Sequence, residues 1–214
     1  ENRLTKLPKH ISKKSGVLFG CGLTTAYGSL FNNIKKKEIK SKKILLTGFG
    51  MIGQIIVSLI NASGGDNITL IEKNKKKINL VKKKYKKIKV LNKLNYPNKE
   101  TYDIAFETTG HSKLIEFSYN NIKNNGKLIL IGVPNHQEKI KINSLGINYG
   151  KKIIGSYGGN IEPEKDIPKI AKFILKHKLN LNNFLCGPFD FNKINKVLDN
   201  MKKGKIIKKP IIKF

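Results

Sequence analysis

The hexapeptide Gly48-Phe49-Gly50-Met51-Ile52-Gly53 constrains what this chain can fold into more than any other feature. It directly follows Lys43-Ile44-Leu45-Leu46-Thr47, a short branched apolar run that reads as a buried strand, and it opens a glycine-led helix expected over 48–63. At this spacing the three glycines have separate tasks. The first permits a tight turn, the second lets another group approach the backbone, and the third lets helix and strand pack closely.

The same alternation continues along the chain. Ile68-Thr69-Leu70-Ile71 reads as the next strand, followed by a lysine-rich helix over 74–87 with Ile78, Leu80, Val81 and Tyr85 on its buried side. A short strand at Ile88-Lys89-Val90-Leu91 and a loop at Tyr96-Pro97 lead to a strand at Tyr102-Asp103-Ile104-Ala105-Phe106-Glu107. A helix over 112–122 is punctuated by Gly126, then Lys127-Leu128-Ile129-Leu130-Ile131 forms a strand that stops at Gly132-Val133-Pro134. Lys152-Ile153-Ile154-Gly155-Ser156 is the last strand of the series. Strands alternating with helices require a mostly parallel sheet covered on both faces, so the expected fold is α/β, a doubly wound parallel Rossmann sheet. Ahead of it, Gly16-Val17-Leu18-Phe19-Gly20 leads into an amphipathic segment over 24–34. Behind it come an amphipathic helix over 164–177 with Ile167, Ile170, Ala171, Ile174 and Leu175 on one stripe, and a second helix over 191–201 capped by Gly204. A final extended stretch carries Ile206-Ile207 and Ile211-Ile212 around Pro210. This tail is too small to stand alone and should pack on something else.

The glycine hexapeptide in this context is a dinucleotide signal. Gly48, Gly50 and Gly53, with Met51 and Ile52 between them, would cradle a pyrophosphate on free N–H groups at the positive end of the helix. Glu72 ends the next strand nineteen residues past Gly53, where an acid can bind an adenosine ribose diol and repel a 2′-phosphate. That favours NAD over NADP, although Lys73 and Lys75 to Lys77 blunt the preference. Glu107-Thr108-Thr109-Gly110 and Gly132-Val133-Pro134 fall where strands should end at the same carboxyl edge.

Charge points elsewhere at first. Lys and Arg total 43 against 14 acids in 214 residues, a formal net charge of +29 that ordinarily suggests nucleic acid or an anionic membrane surface. Yet Arg3 is the sole arginine, and bidentate arginine is the usual reader of bases and phosphates. The lysines are spread over the whole chain with abundant Asn and Ile, the signature of an AT-rich coding sequence, and runs such as Lys82-Lys83-Lys84 suit solvated helix faces. Specific nucleic-acid binding is therefore not expected. No stretch approaches the roughly 18–20 apolar residues of a membrane-spanning helix. The N-terminal Glu1-Asn2-Arg3-Leu4-Thr5 has neither an initiator Met nor a signal-peptide core, and two cysteines make no disulfide framework. A cytoplasmic chain with no membrane partner is the expectation.

Gly20-Cys21-Gly22-Leu23-Thr24-Thr25-Ala26-Tyr27-Gly28 resembles the Gly-Cys-Gly to Tyr-Gly stretch of zinc-dependent medium-chain alcohol dehydrogenases. The spacing onward to Glu72-Lys73-Asn74, Glu107-Thr108-Thr109-Gly110, Ile131-Gly132-Val133-Pro134, Gly155-Ser156-Tyr157-Gly158-Gly159 and Met201-Lys202-Lys203-Gly204-Lys205 is similar to that family as well, over nearly the whole chain. The resemblance implies roles for single residues. Cys21 would be a thiolate ligand of a catalytic zinc, and Thr25 would neighbour the nicotinamide. Glu72 would bind the adenosine ribose with Asn74 and Lys77 beside it, and Thr108 would line the cleft. Ile131, Val133, Ser156 and Tyr157 would offer backbone groups to the nicotinamide side, and Lys208 matches a phosphate-contacting arginine. Read on its own, a cysteine between glycines is more often a small core residue. Cys186 matches no role, and His10, His111, His136 and His177 form no ligand pattern.

The resemblance also implies a preceding GroES-like catalytic domain, absent from this sequence, that supplies the remaining zinc ligands and the proton relay. One thiolate cannot hold a catalytic zinc. The expected division is a connection remnant over 1–18, an NAD-binding Rossmann domain over 19–158, and a segment over 159–214 that packs on the missing domain. Without that partner its apolar side should be exposed. The implied partners are a small alcohol or aldehyde, the missing domain, and a second copy of the chain in a homodimer built on the last strand. Three readings remain open: the cofactor half of a zinc- and NAD-dependent alcohol dehydrogenase, a free-standing NAD-binding module, and a basic nucleic-acid-binding protein.

Overall fold

Strand β1 (Ile44–Thr47) is the centre of the molecule, and all four of its residues are buried. The computed structural model describes residues 4–92 and 100–214; the loop read at Tyr96-Pro97 lies outside the described residues. From β1 the chain runs through α3 (Met51–Ala62), β2 (Ile68–Ile71), α4 (Lys75–Lys84) and β3 (Lys89–Leu91). It then returns to β4 (Tyr102–Glu107), α5 (Ser112–Asn121), β5 (Ile122–Leu130), α6 (Leu145–Asn148) and β6 (Lys152–Gly155). Short α1 (Lys13–Gly16) and α2 (Gly22–Phe31) precede β1, while α7 (Pro163–Lys176), β7 (Leu185–Asp190), α8 (Ile194–Lys202) and β8 (Lys209–Lys213) close the chain. The six-stranded sheet has the order β3-β2-β1-β4-β5-β6, and every pairing in it is parallel. The doubly wound Rossmann expectation is met.

Strand alternation divides the core between the two faces. Ile44 and Leu46 of β1, Ile104 and Phe106 of β4, and Ile129 of β5 point to the side covered by α2 and α3. Leu45, Ala105 and Leu128 point to the other, against Ile115, Phe117 and Tyr119 of α5. Because successive units wind outward from β1 to β3 and then back to β4, the carboxyl ends of β1 and β4 part at a crevice. Asp103 ties the opposite ends together: its Oδ2 accepts from Lys43 N at 2.7 Å and its Oδ1 from Lys123 Nζ at 3.2 Å.

Four local expectations need correction. Helix α2 is not amphipathic: residues 22–30 are buried all round, because α3 lies on one side, α7 on another, and Gly28 is pressed against the Gly159 backbone. Gly126 does not separate α5 from the next strand; α5 runs directly into β5, and the irregularity falls in the β4–β5 register between Tyr102 and Ile104. Leu175 is 52% exposed, about 160° around α7 from Phe173 and so on the flank away from the aromatic rings of α2. Phe173 is buried instead, its ring 5.7 Å from that of Tyr27 and 5.3 Å from that of Phe31. Finally, the apolar stripe of α7 is covered: Ile167, Ile170, Ala171 and Ile174 join the same core as α2 and β1. Strand β7, paired in parallel with β8, was not anticipated, because Gly187 and Pro188 interrupt its pattern.

Candidate functional site

The glycine turn shows which glycines the chain itself needs. Gly48 has φ +87°, and a Cβ there would meet Thr108 Oγ1 and Thr109 Cγ2 at 2.7 Å. At Gly53, on the first turn of α3, a Cβ would run into the Gly48 carbonyl. Gly50 differs. Its φ of −72° and ψ of −169° suit any residue, and a Cβ built on it meets nothing within 4 Å. Chain packing therefore explains Gly48 and Gly53 but not Gly50. The space over Gly50 is a cradle that a side chain would fill, at the N-terminal end of a twelve-residue helix whose first N–H groups have no intrahelical acceptor. This fits a diphosphate.

Gly50 opens on a cavity of about 610 Å³ at the β1/β4 switch point, lined by Gly48, Phe49, Gly50, Ile71, Glu72, Lys73, Lys77, Asn92, Thr108, Thr109, His111, Lys113 and Leu114. Glu72, at the tip of β2, is 8% exposed. Its Oε2 accepts from Phe49 N at 2.9 Å and its Oε1 from Asn74 N at 2.8 Å, while Lys77 Nζ stands 3.6 Å from Oε2. The acid thus braces the glycine turn as well as facing the cavity. Asn74 caps α4 by accepting from Lys77 N at 3.2 Å, and its amide donates to Gly204 O at 3.4 Å. The Thr108 hydroxyl donates to Thr47 O at 2.7 Å, closing β1 against β4.

Beneath the turn lies an acid to which sequence reasoning gave no role. Glu107 is fully buried at the end of β4, where an unpartnered carboxylate would be costly. Its Oε1 accepts from Thr109 N at 2.7 Å, from Thr47 Oγ1 at 3.2 Å and from the Thr109 hydroxyl, and its Oε2 accepts from Gly110 N at 2.9 Å. Glu107 shapes the turn that forms one wall of the cavity.

The remaining expected residues lie beyond this lining. Met51, Ile52 and Gly53 continue from the turn into α3. Thr25 is buried on α2, and its Oγ1 lies 3.9 Å from the sulfur of Cys21, which is exposed at the start of that helix. Ser156 follows β6; its hydroxyl meets that of Ser29 at 2.6 Å and accepts from Gly159 N at 3.2 Å, which pins the turn to α2. Ile131 is buried with its N–H on Glu107 O at 2.8 Å, whereas Val133 and Tyr157 are 89% and 94% exposed. Lys208 lines a separate cleft of about 120 Å³ with Phe49, Gln54 and Lys84. Sequence reasoning missed the wall formed by Asn92, His111, Lys113 and Leu114. The last three follow Gly110 into α5, and the rule that ligands lie at strand carboxyl ends could have found them.

Zinc does not fit the described residues as a group held by this chain. Among them no cluster of three or more His, Cys, Asp or Glu could hold a metal ion, and Cys21 offers one thiol. Also among the described residues, no helix is long and apolar enough to cross a membrane.

Known proteins resemble this chain in sequence and in fold. Alcohol dehydrogenase-like 5 from Arabidopsis thaliana is 25% identical over 96% of this chain and 55% of its own length. The chain thus spans about half the length of the curated relatives it matches. The crystal structure of benzyl alcohol dehydrogenase from Acinetobacter calcoaceticus superposes with a TM-score of 0.86 at 21% identity, over 98% of this chain and 59% of that one. Acetophenone reductase from Geotrichum candidum, solved in complex with NAD, gives 0.78 at 18% identity, over 97% and 57%. These structural likenesses establish the fold. The family model for zinc-binding dehydrogenases matches residues 52–176, more than half of the sequence, and the chain belongs to that family.

Proposed function

We propose that this chain is the nicotinamide-dinucleotide-binding part of an NAD-dependent alcohol dehydrogenase, which transfers hydride between a small alcohol and the cofactor. The observation that carries the reading is Gly50: a glycine that the fold does not require, open to the cavity at the switch point. Gly48, Gly50 and the amide end of α3 at Met51, Ile52 and Gly53 hold the diphosphate. Glu72 meets the adenosine ribose, with Asn74 fixing the start of α4 and Lys77 beside the acid. Thr108 lines the cleft, and Lys208 adds positive charge on the far side of Phe49. Thr25, Ile131, Val133, Ser156 and Tyr157 border the nicotinamide end, where the Ser29–Ser156 hydroxyl pair holds the turn after β6 in place.

When bound, the dinucleotide supplies the hydride acceptor. The chain's own residues bind and orient it. Cys21 enters only as a single exposed thiol, available to a metal whose other ligands come from a longer polypeptide. In the same reading the tail over 159–214 offers its remaining apolar surface, including Phe191, Leu198 and Met201, to the domain that completes the catalytic centre. The outer edge of β6 offers its main chain to a second copy, and the enzyme works in the cytoplasm. The family match, and the NAD complex of a protein sharing the fold, support this reading.

Titration of the chain with NADH, followed by nicotinamide fluorescence, tests it in the presence of excess duplex DNA. The expected result is saturable binding in the micromolar range that is indifferent to the DNA. Binding abolished by the competitor would favour a general polyanion site fed by the lysines, and no binding would refute the proposal.

A further inference from the structure

We infer that the cavity at the β1/β4 switch point accepts a nicotinamide dinucleotide carrying a 2′-phosphate about as readily as one without it. The inference rests on the dinucleotide reading of that cavity and concerns which member of the class it takes. An acid at the tip of β2 selects the unphosphorylated form in two ways: it accepts from the ribose hydroxyls, and its charge repels a phosphate. The second is weakened here. Each oxygen of Glu72 accepts one main-chain N–H, from Asn74 at 2.8 Å and from Phe49 at 2.9 Å, and keeps a lone pair for a ribose hydroxyl. Its charge is offset by Lys77 Nζ, 3.6 Å away.

The neighbouring walls add positive charge. Lys73, next in sequence and exposed, lines the same cavity, and so does Lys113 from the opposite wall on α5. Among the described residues the lining therefore carries three ammonium groups and one carboxylate. A phosphate monoester brings a charge of about −1.5 to −2 at neutral pH, and flexible lysines need no set angle to meet it. Beyond the Glu72–Lys77 pair, the described lining adds Lys73 and Lys113 and no second carboxylate.

Calorimetric titration of the whole chain with NADH and with NADPH, at low and at near-physiological salt, tests the inference, together with the Lys73→Glu variant. For the unaltered chain the two dissociation constants should agree within about tenfold, with NADPH losing more affinity as salt rises. In Lys73→Glu, NADPH should weaken by about tenfold or more while NADH changes by less than about threefold. NADPH more than about a hundredfold weaker than NADH in the unaltered chain would overturn the inference and leave the dinucleotide reading intact. Equal weakening of both ligands in Lys73→Glu would also overturn it. A chain that binds neither ligand overturns both the inference and the reading beneath it.

Discussion

Replacing Gly50 by alanine should separate the needs of the ligand from those of the fold, with Gly53→Ala as the control. At Gly50 the backbone angles suit any residue and a Cβ touches nothing within 4 Å, so stability should change by less than about 1 kcal/mol. The less flexible unfolded chain contributes about 0.4–1 kcal/mol of stability, offset by the poorer N-capping of α3 by alanine. At Gly53 the added carbon meets the Gly48 carbonyl, a backbone atom that can yield only if the turn moves. That overpacking costs about 1–3 kcal/mol, partly offset by about 1 kcal/mol of helix propensity. For binding, the new methyl of Gly50→Ala stands where the diphosphate must approach. Loss of close main-chain hydrogen bonds should weaken NADH by ten- to a hundredfold, about 1.4–2.8 kcal/mol. Urea denaturation and NADH fluorescence titration read the two quantities independently. Gly50→Ala binding NADH like the unaltered chain, or being as destabilised as Gly53→Ala, would refute a ligand role for Gly50.

Other perturbations follow from the same geometry. Glu107→Gln should cost about 1–3 kcal/mol in urea denaturation, because an amide N–H₂ would face one of the donors that now point at the carboxylate. Phe173→Ala should cost about 3–5 kcal/mol by emptying the space against Tyr27 and Phe31, while Leu175→Ala on the exposed face should stay within about 0.5 kcal/mol. For Asp103, burial alone would raise the carboxyl, but the Lys43 N–H, Lys123 and Lys42 together hold it below its ordinary value of 3.8. A depressed folded value contributes stability above the unfolded value and loses it as the pH falls through the folded one. Asp103→Asn should therefore be less stable than the unaltered chain at neutral pH, and the gap should close as the pH drops below about 4. Thermal unfolding across that range reads the difference.

The sheet was legible because β1, β2, β4 and the second half of β5 carry apolar runs bounded by glycine, proline or polar residues, and a parallel sheet buried on both faces leaves that signature. The switch-point cavity was legible in part. Gly48, Gly50, Glu72, Lys77 and Thr108 occupy fixed offsets from strand ends, and the fold brings them together. The opposite wall depends on the first turn of α5, where a helix side chain's direction is set by packing rather than by spacing. Lys208 illustrates the limit of carrying a role over by register: its position is set by the β7–β8 pair, whose first strand is hidden by Gly187 and Pro188. Leu175 and Phe173 exchanged places for a tertiary reason, since the aromatic side of α2 reaches around α7 beyond the apolar stripe. Glu107 looked like the end of a strand, and only the four donors converging on it reveal its part in shaping the cavity.

The most direct test is amide hydrogen exchange of the whole chain, resolved to single residues over 44–56, with and without saturating NADH. A diphosphate held by main-chain amides at the glycine turn requires selective slowing at Gly50 through Gly53, and loss of that slowing in Gly50→Ala. Saturable NADH binding that leaves these amides exchanging as before would place the ligand elsewhere and contradict the account.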